Sequence, residues 1–206
     1  MNRVTLALLL AGSLVLPSTS ASAAEFIYSG ILTGDQEVPV VLSPGIGSAT
    51  VTYDDLLHTM RVQVSFSGLL GTTTASHIHV RVGDPPAVSG GVATQTPTFG
   101  GFPLGVQSGT YDHLFDLTQA ASWNAAFIAS NGGTAAGAES AFALALQQGR
   151  AYLNVHTNLY GGGEIRANLA AVPEPAAWAM MLVGFLGLGA AMRRAHARPQ
   201  AVVSYT

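Results

Sequence analysis

The sequence predicts an all-β fold, an antiparallel sandwich or barrel with one or two short helices inserted before its last two strands. Three observations predict it. Apolar and polar residues alternate with a period of two over short runs, most clearly Met60, Val62, Val64 and Phe66 against Arg61, Gln63 and Ser65. Glycine, proline and acidic turn residues separate these runs. The runs follow one another instead of alternating with helices, which argues against a parallel α/β sheet.

The first strand is expected over 26–33. The next two, 47–53 and 60–66, flank Asp54-Asp55, whose side chains suit a tight turn, so they should pair as a hairpin. A strand over 76–82 follows, then loops at 83–86 and 96–105, where glycine and proline collect, and a strand over 110–117. There the period changes: Thr118 can cap a helix running to Ala129 that buries Trp123 and Phe127, and a second helix over about 135–148 closes at Gly149. The strands 151–156 and 164–169, joined by 157–163, read as a second hairpin.

Charge is scarce. Of 206 residues only 9% are charged, the formal net charge is −3, and every basic residue is arginine. Nucleic-acid binding needs clustered cations to displace counterions from phosphates, and no such cluster exists, so that class is excluded. The absence of cysteine removes disulfides, thiolate metal sites and cysteine nucleophiles.

Both ends read as addresses. Residues 1–23 have the form of a signal peptide: Arg3, an apolar run, a break at Pro17 and the small-residue ending Ala21-Ser22-Ala23, which signal peptidase accepts. That leaves 24–171 as one domain. Residues 172–206 contain Pro173-Glu174-Pro175, an apolar stretch over 176–192 long enough to approach a hydrocarbon core, and Arg193-Arg194. This ending resembles the PEP-CTERM sorting signal of Gram-negative bacteria. The resemblance implies a transmembrane helix in the inner membrane as an intermediate. Cleavage by an exosortase near the motif would then deliver the domain to the cell surface or the exopolysaccharide matrix.

Alternation also sorts the chemistry. On the strand 76–82, His77, His79 and Arg81 share one face while Ile78, Val80 and Val82 share the other. On 151–156, Tyr152, Asn154 and His156 oppose Leu153 and Val155; on 164–169, Glu164, Arg166 and Asn168 oppose Ile165, Ala167 and Leu169. If these strands share a sheet, three histidines gather on one polar face. Two imidazoles at i and i+2 can converge on one ion, a third completes the ligand set of a Zn or Cu site, and Glu164 could orient it from behind. The bland reading leaves the histidines as strand-surface or polar-layer residues, with Glu164 and Arg166 pairing across the sheet to fix register. No G-x-S-x-G elbow and no calcium loop is present. His58 and His113 stand apart and read as structural.

Three strings carry a family resemblance: Leu32-Thr33-Gly34-Asp35-Gln36-Glu37-Val38-Pro39, Ala75-Ser76-His77-Ile78-His79, and Ala151-Tyr152-Leu153-Asn154-Val155-His156-Thr157 followed by Gly163-Glu164-Ile165-Arg166-Ala167-Asn168-Leu169. Together they resemble the CHRD (chordin-type) domain over residues 26–169. The resemblance implies an exported all-β domain with no established catalytic activity, its characteristic positions including His77, His79, His156, Glu164 and Arg166. At the level of fold, immunoglobulin-like and superoxide-dismutase-like arrangements both suit the strand pattern. An HxH strand with a later strand-borne histidine looks like the copper half of Cu/Zn superoxide dismutase. No further histidine between 79 and 156 takes a comparable place, since His113 sits beside Asp112, which argues against dismutase activity.

The expected function is therefore a non-catalytic surface or matrix module that binds an extracellular polymer or another surface protein. The alternative is an exported Cu or Zn protein using His77, His79 and His156, with redox activity as its extension.

Overall fold

Alternation becomes pairing in the hairpin of β2 (Ile46–Asp54) and β3 (Thr59–Ser67). Ala49 stands opposite Val64, Val51 opposite Val62 and Tyr53 opposite Met60, all buried, while Ser48 faces Ser65 on the solvent side. The turn forms because Asp54 Oδ1 accepts from the amides of Leu56 and Leu57 at 2.9 and 2.8 Å, and His58 closes it in the left-handed region at φ 53°. The computed structural model describes residues 25–83, 88–173 and 175–196. The expected signal peptide, Glu174 of the sorting motif and the tail from 197 onward lie outside the described residues.

The other strands are β1 (Glu25–Thr33), β4 (Thr73–Val80), β5 (Gly91–Val92), β6 (Gly109–Asp116), β7 (Ala151–Thr157), β8 (Ile165–Asn168) and β9 (Ala170–Ala171). They form one antiparallel sheet in the order β5-β4-β7-β8-β1-β2-β3-β6, with β9 added to β1. The all-β antiparallel expectation holds, the single sheet curling into a half-barrel. Along the first part of β4, the segment before β6 supplies the missing partners: Phe99 N donates to Ser76 O at 3.1 Å, and Gly105 N to Thr73 O at 2.8 Å. The inside of the curl is the apolar core, with Leu32, Val51, Met60, Val62, Ile78, Leu153, Val155 and Ile165 all inaccessible to solvent.

The helical insertion is shorter than expected. Thr118 caps nothing; a 3₁₀ turn over Ala120–Ser122 comes first, and α1 (Ala125–Ser130) is capped by Asn124, whose side chain accepts from Ala126 N. Trp123 is thereby freed from the helix and donates its indole N–H to Leu117 O at 2.9 Å within the core. Helix α2 (Ala135–Gln147) matches its expected span, capped by Thr134, with Phe142 and Leu146 facing inward and Gly149 at φ 65° beyond its end.

After the domain the chain enters α3 (Pro175–His196), which covers the stretch 176–192 and carries Arg193 and Arg194 near its end. The expected membrane span is corrected here: among the described residues no helix is long and apolar enough to cross a membrane. The structure shows a helix whose described apolar side chains, such as Phe185 and Leu186, are exposed to solvent.

Candidate metal centre

Two neighbouring strands build the site. β4 and β7 pair with His77 opposite Asn154, His79 opposite Tyr152 and Ala75 opposite His156. β8 adds Arg166 opposite Asn154. Because Ile78 and Leu153 point into the core, the alternate residues project from the other side of the sheet. That side is not bathed in water. Loops roof it, and His77, His79 and His156 are 7%, 9% and 8% exposed.

The three rings converge, each offering a nitrogen within 4.8 Å of the others. The remaining nitrogen of each ring meets a backbone carbonyl: His77 Nε2 at 2.6 Å from Pro97 O, His79 Nδ1 at 3.0 Å from Gly90 O, and His156 Nδ1 at 3.1 Å from Gly161 O. A carbonyl oxygen only accepts, so each of those nitrogens carries the ring proton. His77 Nδ1, His79 Nε2 and His156 Nε2 are then left as the nitrogens free to act as ligands. His79 Nε2 is buried with no partner among the described residues, and His77 Nδ1 faces His156 Nε2 at 3.2 Å. Two ligands ~2.05 Å from a tetrahedral ion stand about 3.3 Å apart.

Electrostatics favour the same state. Burial holds all three imidazoles neutral. It lowers His77 below its usual value, and it brings His79 and His156 down to about 4, with repulsion from the neighbouring histidines adding to the effect. Neutral imidazole is the form that binds a metal. Gly90 makes one of the carbonyl contacts possible, because a Cβ there would collide with the backbone of Val80.

Around the trio, Tyr152 stacks on His79 with ring centroids 4.9 Å apart, and its hydroxyl accepts from Gly90 N at 2.9 Å. The guanidinium of Arg166 lies 4.1 Å and that of Arg81 4.7 Å from the Tyr152 ring centre. Asn154 donates to Glu37 Oε1 at 2.8 Å, while its own Oδ1 is buried without a partner among the described residues.

Two expected roles are corrected. Glu164 neither backs the trio nor pairs with Arg166. Pairing in β8 begins only at Ile165, so Glu164 escapes the alternation. Its carboxylate accepts from Ser43 Oγ, Leu70 N, Gly71 N and Thr157 Oγ1 at 2.5–3.0 Å. Burial alone would raise this carboxyl, but the four donors outweigh it and hold it below the usual range. Arg166 pairs instead with Glu37, at 2.8 and 3.0 Å, with both side chains almost fully buried. Glu37 had no assigned role in the sequence, although it stands in the Gly34-Asp35-Gln36-Glu37 string. It reaches the site from the 3₁₀ turn Gly34–Gln36, where Gly34 lies too close to Val41 O for any side chain. Arg81 sits at the rim, bonded to Asn168 Oδ1. Of the sorting motif, Pro173 is exposed and Pro175 begins α3.

A family model described as the CHRD domain matches residues 28–169, which span every strand of the site. No curated protein and no solved structure matches the chain.

Proposed function

The chain belongs to the CHRD domain family, and we propose that it is an exported surface or matrix module that holds one copper or zinc ion on His77, His79 and His156 and performs no catalysis. One observation carries the metal: three buried imidazoles each set one nitrogen within 4.8 Å of the others while the second nitrogen of each lies at a backbone carbonyl. Metal-bound histidines are oriented in this way, the outer hydrogen bond fixing tautomer and ring plane. Three neutral ligands leave the ion its full charge and one position for water or an anion.

Export rests on the sequence: the signal ending Ala21-Ser22-Ala23, read by signal peptidase, and the Pro173-Glu174-Pro175 ending, read by an exosortase. Surface polymer or another surface protein is the partner this destination implies. The stacking of Tyr152 on His79 favours a second reading, a redox-active copper module in which the tyrosine ring borders the ion.

The test is to purify the full chain without chelators and measure bound metals by mass spectrometry. Near one equivalent of Cu or Zn, lost in His77→Ala, His79→Ala and His156→Ala while the far-ultraviolet spectrum is kept, is the expected result. A metal-free protein, or equal metal in the triple variant, overturns it. Deleting 173–206 should shift the protein from the envelope to the periplasm or medium, and unchanged fractionation would count against surface delivery.

A further inference from the structure

Four loops gather at one end of the sheet: 38–45 before β2, 68–72 between β3 and β4, 102–108 before β6, and 158–163 between β7 and β8. The register brings them together, since Ile46 pairs with Ser67, Phe66 with Gly109 and Thr73 with Thr157. Hydrogen bonds then lace them to one another. Ser43 Oγ and Leu70 N both donate to Glu164 Oε1, Thr72 N donates to Asn158 Oδ1 at 2.8 Å, and Gln107 Nε2 donates to Leu69 O at 2.9 Å. Outside this lacing stand aliphatic side chains: Val40, Leu42, Leu70, Leu104 and Leu159 are all exposed, Leu42 by 91%. Single exposed leucines are ordinary, but a group of them on four adjoining loops marks an interaction surface.

Charge avoids this end. Residues 38–53, 62–80, 88–111 and 151–163 contain no Asp, Glu, Lys or Arg, and the exposed charge that borders the loops is Asp35 on the preceding 3₁₀ turn. Acids collect at the opposite end, where Glu25 stands opposite Asp54, Asp116 stands opposite Thr59 and Asp55 lies in the hairpin turn. There too the chain enters the domain at Glu25 and leaves it at Val172, whose amide donates to Ile27 O. We infer that the apolar end pairs with the same end of a second copy of this chain, about a two-fold axis. In such a contact identical patches meet, so a charge near the axis would face its like. Neutrality is therefore what self-pairing demands, whereas a foreign partner imposes no such condition. With a net charge of −3 on each chain, pairing at this end also sets the acidic ends farthest apart. A lipid surface would call for Arg or Lys beside the leucines to meet phosphate, and these loops have neither. The hydrogen bonds to Glu164 hold the loops before contact, which lowers the ordering cost of pairing. A second copy thus supplies the partner that the surface-module reading calls for, with or without an ion on the trio.

Sedimentation equilibrium of the full chain tests this. A monomer–dimer equilibrium is expected, and Leu42→Asp and Leu159→Asp should each raise its dissociation constant about tenfold or more, by turning carboxylates toward one another. Leu57→Asp at the opposite end and Leu186→Asp on α3, both at exposed positions, should leave it unchanged. A chain that stays monomeric up to about 100 μM, or a dimer that Leu42→Asp and Leu159→Asp leave intact, would overturn the pairing; so would a dimer lost only in Leu186→Asp, which would be an association of α3. Sedimentation with phosphatidylglycerol vesicles, lost in Leu42→Asp while the free chain is monomeric, would assign the face to lipid and overturn it as well. None of these results depends on metal content or fractionation, which test the surface-module reading separately.

Discussion

His77 Nδ1 and His156 Nε2 face each other across 3.2 Å as two acceptors, each ring having committed its proton to a carbonyl of a roofing loop. Two lone pairs at that distance repel unless a cation lies between them. Adding Cu or Zn to the chelated full chain should therefore raise its melting temperature, by an amount equivalent to about 4 kcal/mol when the free ion is a thousandfold above its Kd. His156→Ala should show no such rise in a thermal melt. An equal rise in that variant would place the binding elsewhere.

Acid should destabilise the chelated protein. Unfolded histidine titrates near ~6.5, whereas folded His79 and His156 titrate at about 4 and His77 is also lowered. Between those values the unfolded chain binds more protons, so stability falls as pH drops from about 6.5 toward 4 and is flat with respect to these groups above about 7.5. The slope is at most about 1.4 kcal/mol per pH unit for each histidine. Urea melts across this window should show it, and His79→Gln should make it shallower.

His58 works in the opposite direction. Its Nδ1 lies 3.0 Å from Glu139 Oε1, and that hydrogen bond raises its pKa. The stabilisation it gives is complete below the unfolded value and is lost as pH rises through the raised one. Because Glu139 is on α2 and also accepts from Tyr53 Oη at 3.1 Å, the pair ties that helix to the β2–β3 hairpin. An NMR titration should find His58 above the ordinary histidine range in the native chain and back within it in Glu139→Gln.

Removing Glu37 should cost more than removing the whole ion pair. Arg166 and Glu37 are buried at 3% and 2% side-chain exposure, so Glu37→Gln strands a cation in the interior, at a cost of about 3–5 kcal/mol. Replacing both, Glu37→Met with Arg166→Met, should recover much of the loss. A double variant as unstable as the single one in urea melts would refute this account.

Glu164→Gln should be among the most damaging single changes in the chain. The native carboxylate accepts four hydrogen bonds, and the amide would turn two N–H groups toward donors. A loss of about 2–4 kcal/mol is expected in chemical denaturation, with metal content unchanged in the folded fraction, since the residue does not touch the trio.

The histidine trio was legible because it depends on alternation alone. His77 and His79 share a face by position in one strand, and His156 joins them once the two strands pair. The β2–β3 hairpin was legible for the same reason, with a turn residue, Asp54, that also works through its own side chain. Glu37 was not: it meets Arg166 across 129 positions from a 3₁₀ turn, and no periodicity links a turn to a strand so far along the chain. Glu164 misled because it lies one residue before strand pairing begins, where the side-to-side rule does not yet apply. The short strands β5 and β9 have two residues each, too few to show a period, and the late start of α1 reflects the burial of Trp123, a demand of the core on a segment whose local preferences were helical.

The carbonyls of Gly90, Pro97 and Gly161 hold the rings in place, and the loops that supply them also close over the rings. The consequence is one of time. Anything travelling to or from those imidazoles must wait for a loop to lift, so exchange runs at the pace of local opening and not of diffusion. A metal added to the chelated chain would then load over the time of loop opening, well behind its first encounter with the surface.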